Sequence, residues 1–227
     1  MHNKTFTRAD IEALEKMQRT RLINCLSGYK SANLIGTRDE QGNENVSVVS
    51  SVIHMGSNPP LLGFIVRPRK VERHTLDNIL STSSFTINAI ALDFAQQAHQ
   101  TSARYPKNVS EFNAAGLTPH YEDNISAPFV LESPLKMALE LREHIIINSN
   151  DTEMVIGEVV HVSLPEQVIM PDGYVDLEAL DLVTISGLDS YHVTQRVHRL
   201  SYAKPDKALF PLTKEGEPSS WRALAPD

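Results

Sequence analysis

Two long runs of strand character constrain this chain most. Leu135 to Ile147 and Met154 to Leu164 are both rich in β-branched and apolar residues, and the turn Asn148-Ser149-Asn150-Asp151 stands between them. Asn, Ser and Asp are turn formers because their side chains bond nearby backbone and, for Asn and Asp, tolerate left-handed angles. The pair reads as one long antiparallel hairpin, and an isolated hairpin is at best marginally stable, so further strands or helices must cover it.

The rest of the chain supplies them. Leu34-Ile35-Gly36-Thr37-Arg38 passes through Asp39-Glu40-Gln41-Gly42-Asn43 to Val46, Val48 and Val49, a second hairpin. Leu61 to Val66 is short, apolar and preceded by Pro59-Pro60, which suits a buried strand, and Ser84 to Ile90 alternates with period two. Thr7-Arg8-Ala9-Asp10 is a helix start signal, and Ile11, Leu14, Met17, Leu22 and Leu26 continue it as an amphipathic helix ending near Gly28. A second, short helix carries Leu76, Ile79 and Leu80; residues 92–127 are helical and then irregular, punctuated by Tyr105-Pro106 and Gly116. About six strands without regular strand–helix alternation predict a mainly β fold with α elements, an antiparallel sheet or barrel.

The expected organisation is a helical segment over 1–28, one barrel domain over 29–202, and an extended arm over 203–227. Pro205, Pro211, Pro218 and Pro226 interrupt regular structure in that arm. Its Trp221, the single tryptophan, either belongs to a disordered tail or anchors the arm on this or a neighbouring subunit.

At 227 residues, with 41% hydrophobic and 22% charged, the chain can bury a sizeable core, which excludes fibrous and wholly disordered classes. A formal net charge of -7 is the wrong sign for a general nucleic-acid partner. The apolar run Leu61 to Val66 is far below the roughly 18 residues of a membrane span, and charges are mixed through the first turns, so neither a membrane partner nor a signal peptide is expected. A lone Cys25 makes no internal disulfide and fits a reducing, cytoplasmic setting; its place on the apolar side of the first helix predicts a buried, inert thiol.

Motif spacing removes several chemistries. The closest glycines, Gly36 and Gly42, exclude G-x-G-x-x-G, a phosphate-binding P-loop and a nucleophile elbow. His192 and His198 lack a third metal ligand at useful spacing, so no metal is expected. Asp39 and Glu40 stand in a turn, where solvation accounts for them.

One segment contradicts the acidic average. Arg67, Arg69, Lys70 and Arg73 put four cations between a buried strand and a helix start, with His74 and Thr75 next to them. A helix N-terminus offers unpaired N–H groups and a positive dipole end, so this is either an anion site suited to a phosphate or a solvated turn whose cations pair with acids. Asn45, Ser47, Val48, Ser50 and Ser51, on the preceding hairpin, set small polar groups among β-branched residues. That face either meets solvent or approaches a flat polar ligand, and only one turn and one strand separate it from the cations.

In order and spacing these segments resemble the flavin reductase-like family of FMN-binding split barrels, from about Leu34 to His192. The marks are Gly36-Thr37-Arg38-Asp39, Asn45-Val46-Ser47, Asn58-Pro59-Pro60-Leu61, Thr75-Leu76-Asp77-Asn78-Ile79 and Ser84-Phe85-Thr86-Ile87-Asn88. Phe112-Asn113-Ala114-Ala115-Gly116-Leu117-Thr118, Ala127-Pro128 with Glu132-Ser133-Pro134, Ile156-Gly157-Glu158-Val159-Val160 and Ser186-Gly187-Leu188-Asp189-Ser190-Tyr191 continue the series.

The resemblance implies a six-stranded antiparallel split barrel that forms a homodimer and binds FMN, or in some members FAD, near the subunit interface. It places Asn45 to Ser51 along the ribityl chain and ring edge, and Arg67, Arg73, His74 and Thr75 around the phosphate. It implies hydride transfer from NADH or NADPH to the flavin. Where monooxygenase-feeding reductases carry Gly-Asp-His, this chain reads Asn150-Asp151-Thr152, and the usual Lys-Asp-Thr at the helix start reads Arg73-His74-Thr75. Three readings follow: a flavin reductase-like oxidoreductase, a flavoredoxin-like carrier without its own nicotinamide chemistry, and a barrel holding another phosphorylated ligand such as pyridoxal phosphate.

Overall fold

A computed structural model of the chain describes residues 2–69 and 73–221. Its elements run α1 (Arg8–Ala13), α2 (Lys16–Cys25), β1 (Lys30–Ser31), β2 (Asn33–Arg38), β3 (Glu44–Val49), β4 (Ile53–Ser57), β5 (Pro60–Val66), α3 (His74–Thr82), β6 (Ser84–Ala89), α4 (Ala95–Gln100) and α5 (Glu111–Ala115). Then come β7 (Pro119–His120), β8 (Phe129–Val130), β9 (Lys136–Ile147), β10 (Thr152–Ser163), β11 (Val183–Ser186), β12 (Ser190–Val193), β13 (Arg199–Leu200) and β14 (Pro211–Leu212).

Among the described residues the principal sheet has seven antiparallel strands in the order β3-β2-β6-β9-β10-β5-β4. The two predicted hairpins are β2–β3 and β9–β10, the latter 12 residues per strand. The sequence count of about six omits β4, which the Asn58–Pro59–Pro60 turn folds back on β5. The sheet curls without closing, so the expected mainly β split barrel is the fold observed. A smaller sheet, β1-β11-β12, stands beside it.

Two cores explain why β2 and β6 are buried almost throughout. Adjacent side chains of a strand face opposite sides, so Leu34 joins Val46, Ile90, Phe94, Phe112 and Val130 while Ile35 joins Phe64, Leu76, Ile79, Phe85, Leu139 and Val155. Helix α3 fills the second core with Leu76 and Ile79, which fixes its N-terminus against the barrel. A buried polar knot ties β6 to its neighbours: Asn88 Nδ2 donates to the Leu34 carbonyl at 3.2 Å and to Thr86 Oγ1 at 2.9 Å, and Asn88 Oδ1 accepts the Val130 N–H at 2.9 Å.

Three expectations need correction. The first helix is two helices, since Leu14 is extended and Glu15 caps the second by accepting from Met17 N at 2.7 Å; Met17, Ile23 and Leu26 stay exposed because neither helix buries a residue. Cys25, expected buried, is therefore exposed. Asp39 is not a solvated turn acid: it is buried and accepts from the N–H groups of Gln41 at 3.0 Å and Asn43 at 2.8 Å.

Within the C-terminal arm β14 pairs with β13, and Pro211 sits at a strand start, where a missing N–H is tolerated. Arg196 and Arg199 tie this segment to the 172–178 loop through Tyr174, Asp172 and Asp176. Trp221 meets His198 edge-on at 5.5 Å yet remains 58% exposed. No helix of the described residues is long and apolar enough to cross a membrane.

Candidate functional site

Edge strand β3, the start of α3 and the end of β5 surround one cleft of about 680 Å³, within the range of small-molecule sites. Asn45, Ser47, Val48, Ser50, Ser51, Arg67, Arg73, His74 and Thr75 all line it, so the sequence's polar strand and basic turn do converge. Arg69 is placed elsewhere: its Nε donates to Glu153 at 2.8 Å and its Nη1 to Asp77 at 3.0 Å, and it does not line the cleft. Lys70 lies outside the described residues.

Within the cleft these residues divide into structural and available groups. Thr101 pins α4 to the floor by accepting the Val48 N–H at 2.9 Å and donating to the Ala98 carbonyl at 2.7 Å. Ser51 is similarly spent, because its Oγ accepts the Ile65 N–H at 3.0 Å and donates to the Ile65 carbonyl at 3.3 Å. Ser47 and Thr75 share a hydrogen bond of 2.9 Å between their hydroxyls across the floor.

The basic end is the most charged part of the cleft. Burial holds the Arg73 guanidinium below the ordinary arginine range, and the nearby charges of Arg67 and Arg104 push it the same way. Arg73 Nη2 reaches the Pro68 carbonyl at 3.4 Å, while its buried Nε has no hydrogen-bond partner among the described residues. Three clustered cations and an orphaned buried donor form an incomplete set that an anion completes.

Several lining residues escaped the sequence reading. Arg104 and Ser102 come from the loop before Tyr105-Pro106, a stretch read there only as punctuation, and no local signal announces their reach to the basic turn. Glu111 is buried at 7% exposure; desolvation pushes its carboxyl above the usual range, against the pull of hydrogen bonds and of His74. Also lining the cleft, His99 Nδ1 and the Tyr191 hydroxyl lie 3.1 Å apart, and burial raises the Tyr191 phenol. His192, its neighbour, points away to Ser186 Oγ at 2.8 Å and packs on Tyr29. Among the described residues no group of side chains is arranged to hold a metal ion.

The model of the flavin reductase like domain matches residues 27–177, well over half of the chain. The chain belongs to that family. A solved Shewanella frigidimarina NCIMB 400 structure, assigned as a flavin reductase with a split barrel domain, is 52% identical with a TM-score of 0.86, covering 88% of this chain and 100% of its own. Flavoredoxin of Desulfovibrio vulgaris (Miyazaki F) is 25% identical with a TM-score of 0.65, covering 80% of this chain and 93% of that one. An uncharacterized Deinococcus radiodurans protein is 28% identical over 87% of this chain and 92% of its own.

This flavin reductase-like chain has the fold of flavin-related oxidoreductases. Its β9–β10 turn holds no histidine: Asn150 Oδ1 accepts from the Thr152 N–H at 3.1 Å and from the Thr152 hydroxyl at 2.7 Å, so the turn is closed by its own side chains.

Proposed function

We propose that this protein is an FMN-binding oxidoreductase that uses NADH or NADPH as electron donor. The convergence of Arg67 and Arg104 on Arg73, with a buried guanidinium nitrogen lacking a partner, carries this reading. A terminal phosphomonoester concentrates its charge on one group, and clustered guanidiniums suit it better than the internal diphosphate of FAD. From there the floor of Asn45, Ser47 and Ser50 and the apolar Val48, Val49 and Phe64 offer polar and flat surfaces in turn.

Bound flavin would supply hydride and single-electron chemistry. The chain's own part is to hold the phosphate at Arg73, Arg67 and Arg104 and to seat the remainder along β3. The His99–Tyr191 pair lines the same cleft.

The experiment is an absorption spectrum of the purified protein, acid release and identification of its chromophore, then anaerobic NADH and NADPH. Flavin that bleaches within seconds supports the oxidoreductase. Flavin that stays oxidised favours the carrier reading, which the histidine-free β9–β10 turn supports. A spectrum of pyridoxal type, or no binding of added FMN, overturns the assignment.

We also propose a homodimer. Ile53 and Met55 on edge strand β4, and Ile145, Ile146, Val160 and Val162 on the long hairpin, are exposed apolar side chains, more than single scattered hydrophobics explain. Light scattering across a dilution series tests it; a monomer at micromolar concentration refutes it.

A further inference from the structure

We propose that Glu111 is a positioning residue that fixes the hydrogen-bond polarity of the cleft floor, so that Ser47 and Thr75 meet a ligand as acceptors and select a hydroxyl-bearing segment there. The inference rests on the flavin reading for its ligand, whose ribityl chain is such a segment.

Four side chains, Glu111, Asn45, Thr75 and Ser47, form one chain of hydrogen bonds. Burial raises the Glu111 carboxyl, and above the pH at which it ionises the carboxylate only accepts hydrogen bonds. Were the Asn45 oxygen turned toward Glu111, it would face two other acceptors, so the amide takes the opposite orientation. Its Nδ2 then donates toward Glu111 Oε1 and Oε2 at 3.3 Å, and its Oδ1 accepts from the Val46 N–H at 3.2 Å and from Thr75 Oγ1 at 2.9 Å. Each hydroxyl has one proton. Thr75 spends its proton on Asn45, so in the 2.9 Å bond between Thr75 and Ser47 it is Ser47 that donates. Both hydroxyls thereby keep lone pairs and no free proton.

A hydroxyl pair beside a cluster of arginines would ordinarily be read as extra donors for a phosphate. With Glu111 ionised the reverse holds: the anion is left to the guanidiniums of Arg67, Arg73 and Arg104, and the floor takes hydroxyl donors. Glu111 comes from α5, Asn45 and Ser47 from β3 and Thr75 from α3, so one buried carboxylate on α5 sets the polarity of groups on two other elements. His74 on α3, with Asp39, Glu44 and Lys107, are the other titratable groups bordering the same recess.

The test uses E111Q. Its amide donates as well as accepts, so Asn45 is free to turn, and Thr75 and Ser47 are free to reverse. FMN affinity, read by fluorescence quenching, is expected to fall about tenfold or more, the weight of one misdirected hydrogen bond. Affinity for inorganic phosphate is expected not to fall, since a carboxylate has been removed. The double variant E111Q/N45D restores the order, because the amide at 111 then donates to the carboxylate introduced at 45, which still accepts from Thr75. It should regain FMN affinity to within about threefold of wild type, a difference below 1 kcal/mol. Unchanged FMN affinity in E111Q overturns the proposal, as does a loss that the double variant fails to recover.

A flavin-free readout separates this from the reading it rests on. In wild-type protein, side-chain amide NMR signals of Asn45, assigned by their loss in N45D, should shift in step with the Glu111 carboxyl carbon as pH is lowered. If wild type binds no FMN but this coupling is present, the flavin reading falls and the polarity stands. If the Asn45 protons do not follow the Glu111 carboxyl, the polarity is wrong whatever the ligand.

Discussion

Gly157 lies against the ring of Phe85, so close that a Cβ at 157 would stand 2.6 Å from Phe85 Cζ and 3.0 Å from Leu139 Cβ. Phe85 and Leu139 are fully buried in the core that α3 closes, so neither has room to yield. Gly157→Ala should cost about 1–3 kcal/mol by overpacking, measured as a lower urea midpoint with unchanged slope. Phe85→Leu in the same chain should return part of that loss. Equal stability of the single variant and wild type would show that the strand shifts freely.

The barrel was legible because its strands carry local signals. The Asn-Ser-Asn-Asp turn and the two long strands beside it follow from residue type, with bounds of 135–147 and 154–164 against the observed Lys136–Ile147 and Thr152–Ser163, as do the β2–β3 hairpin and the alternation of β6. The site was legible only in part. Its contiguous pieces, Asn45 to Ser51 and Arg67 to Thr75, stand out as local contrasts of polarity and charge. Arg104, Glu111 and His99 enter the cleft from loops and short helices whose approach is set by the packing of α4 and α5 on β3. Asp39 and Cys25 were misplaced for the same reason: composition gives average exposure, but hydrogen bonds within the turn and a helix α2 that buries none of its residues decide the individual case.

Arg73 and Arg69 sit four residues apart and should behave as opposites. Arg73 faces the cleft with an unpartnered Nε, whereas Arg69 spends its guanidinium on Glu153 and Asp77. Arg73→Ala should weaken FMN binding by about 1.5–3 kcal/mol, the worth of a charge-assisted bond, and leave riboflavin, which lacks the phosphate, nearly unaffected. Arg69→Ala should lower thermal stability with a much smaller effect on FMN. Equal losses for FMN and riboflavin in Arg73→Ala would move the phosphate elsewhere.

Asn88 has no exposure and each of its amide groups has a partner, linking β6 to β2 and to the Val130 N–H. Asn88→Ala leaves the Val130 N–H and the Leu34 carbonyl short of a partner in the interior. The expected loss is about 2–4 kcal/mol, since each unsatisfied buried group costs roughly 1–3 kcal/mol. Chemical denaturation measures it, and a loss below about 1 kcal/mol would mean that water reaches the gap.

Glu153 gives the fold an acid-sensitive clasp. Burial pushes its carboxyl up, but hydrogen bonds from Arg69 Nε at 2.8 Å and His144 Nε2 at 2.6 Å, together with their charge, outweigh it and hold the group below the ordinary glutamate range. A carboxyl whose folded value is depressed binds fewer protons folded than unfolded, so its contribution is present above the unfolded value of about 4.3 and is lost as pH falls through the folded one. Glu153→Gln should therefore be less stable than wild type at neutral pH, and the gap should narrow below about pH 4.3 as the wild-type carboxyl protonates. Denaturation midpoints of both proteins across the acid range decide it: a stability gap that stays constant with pH would show that Glu153 acts by packing and not by charge.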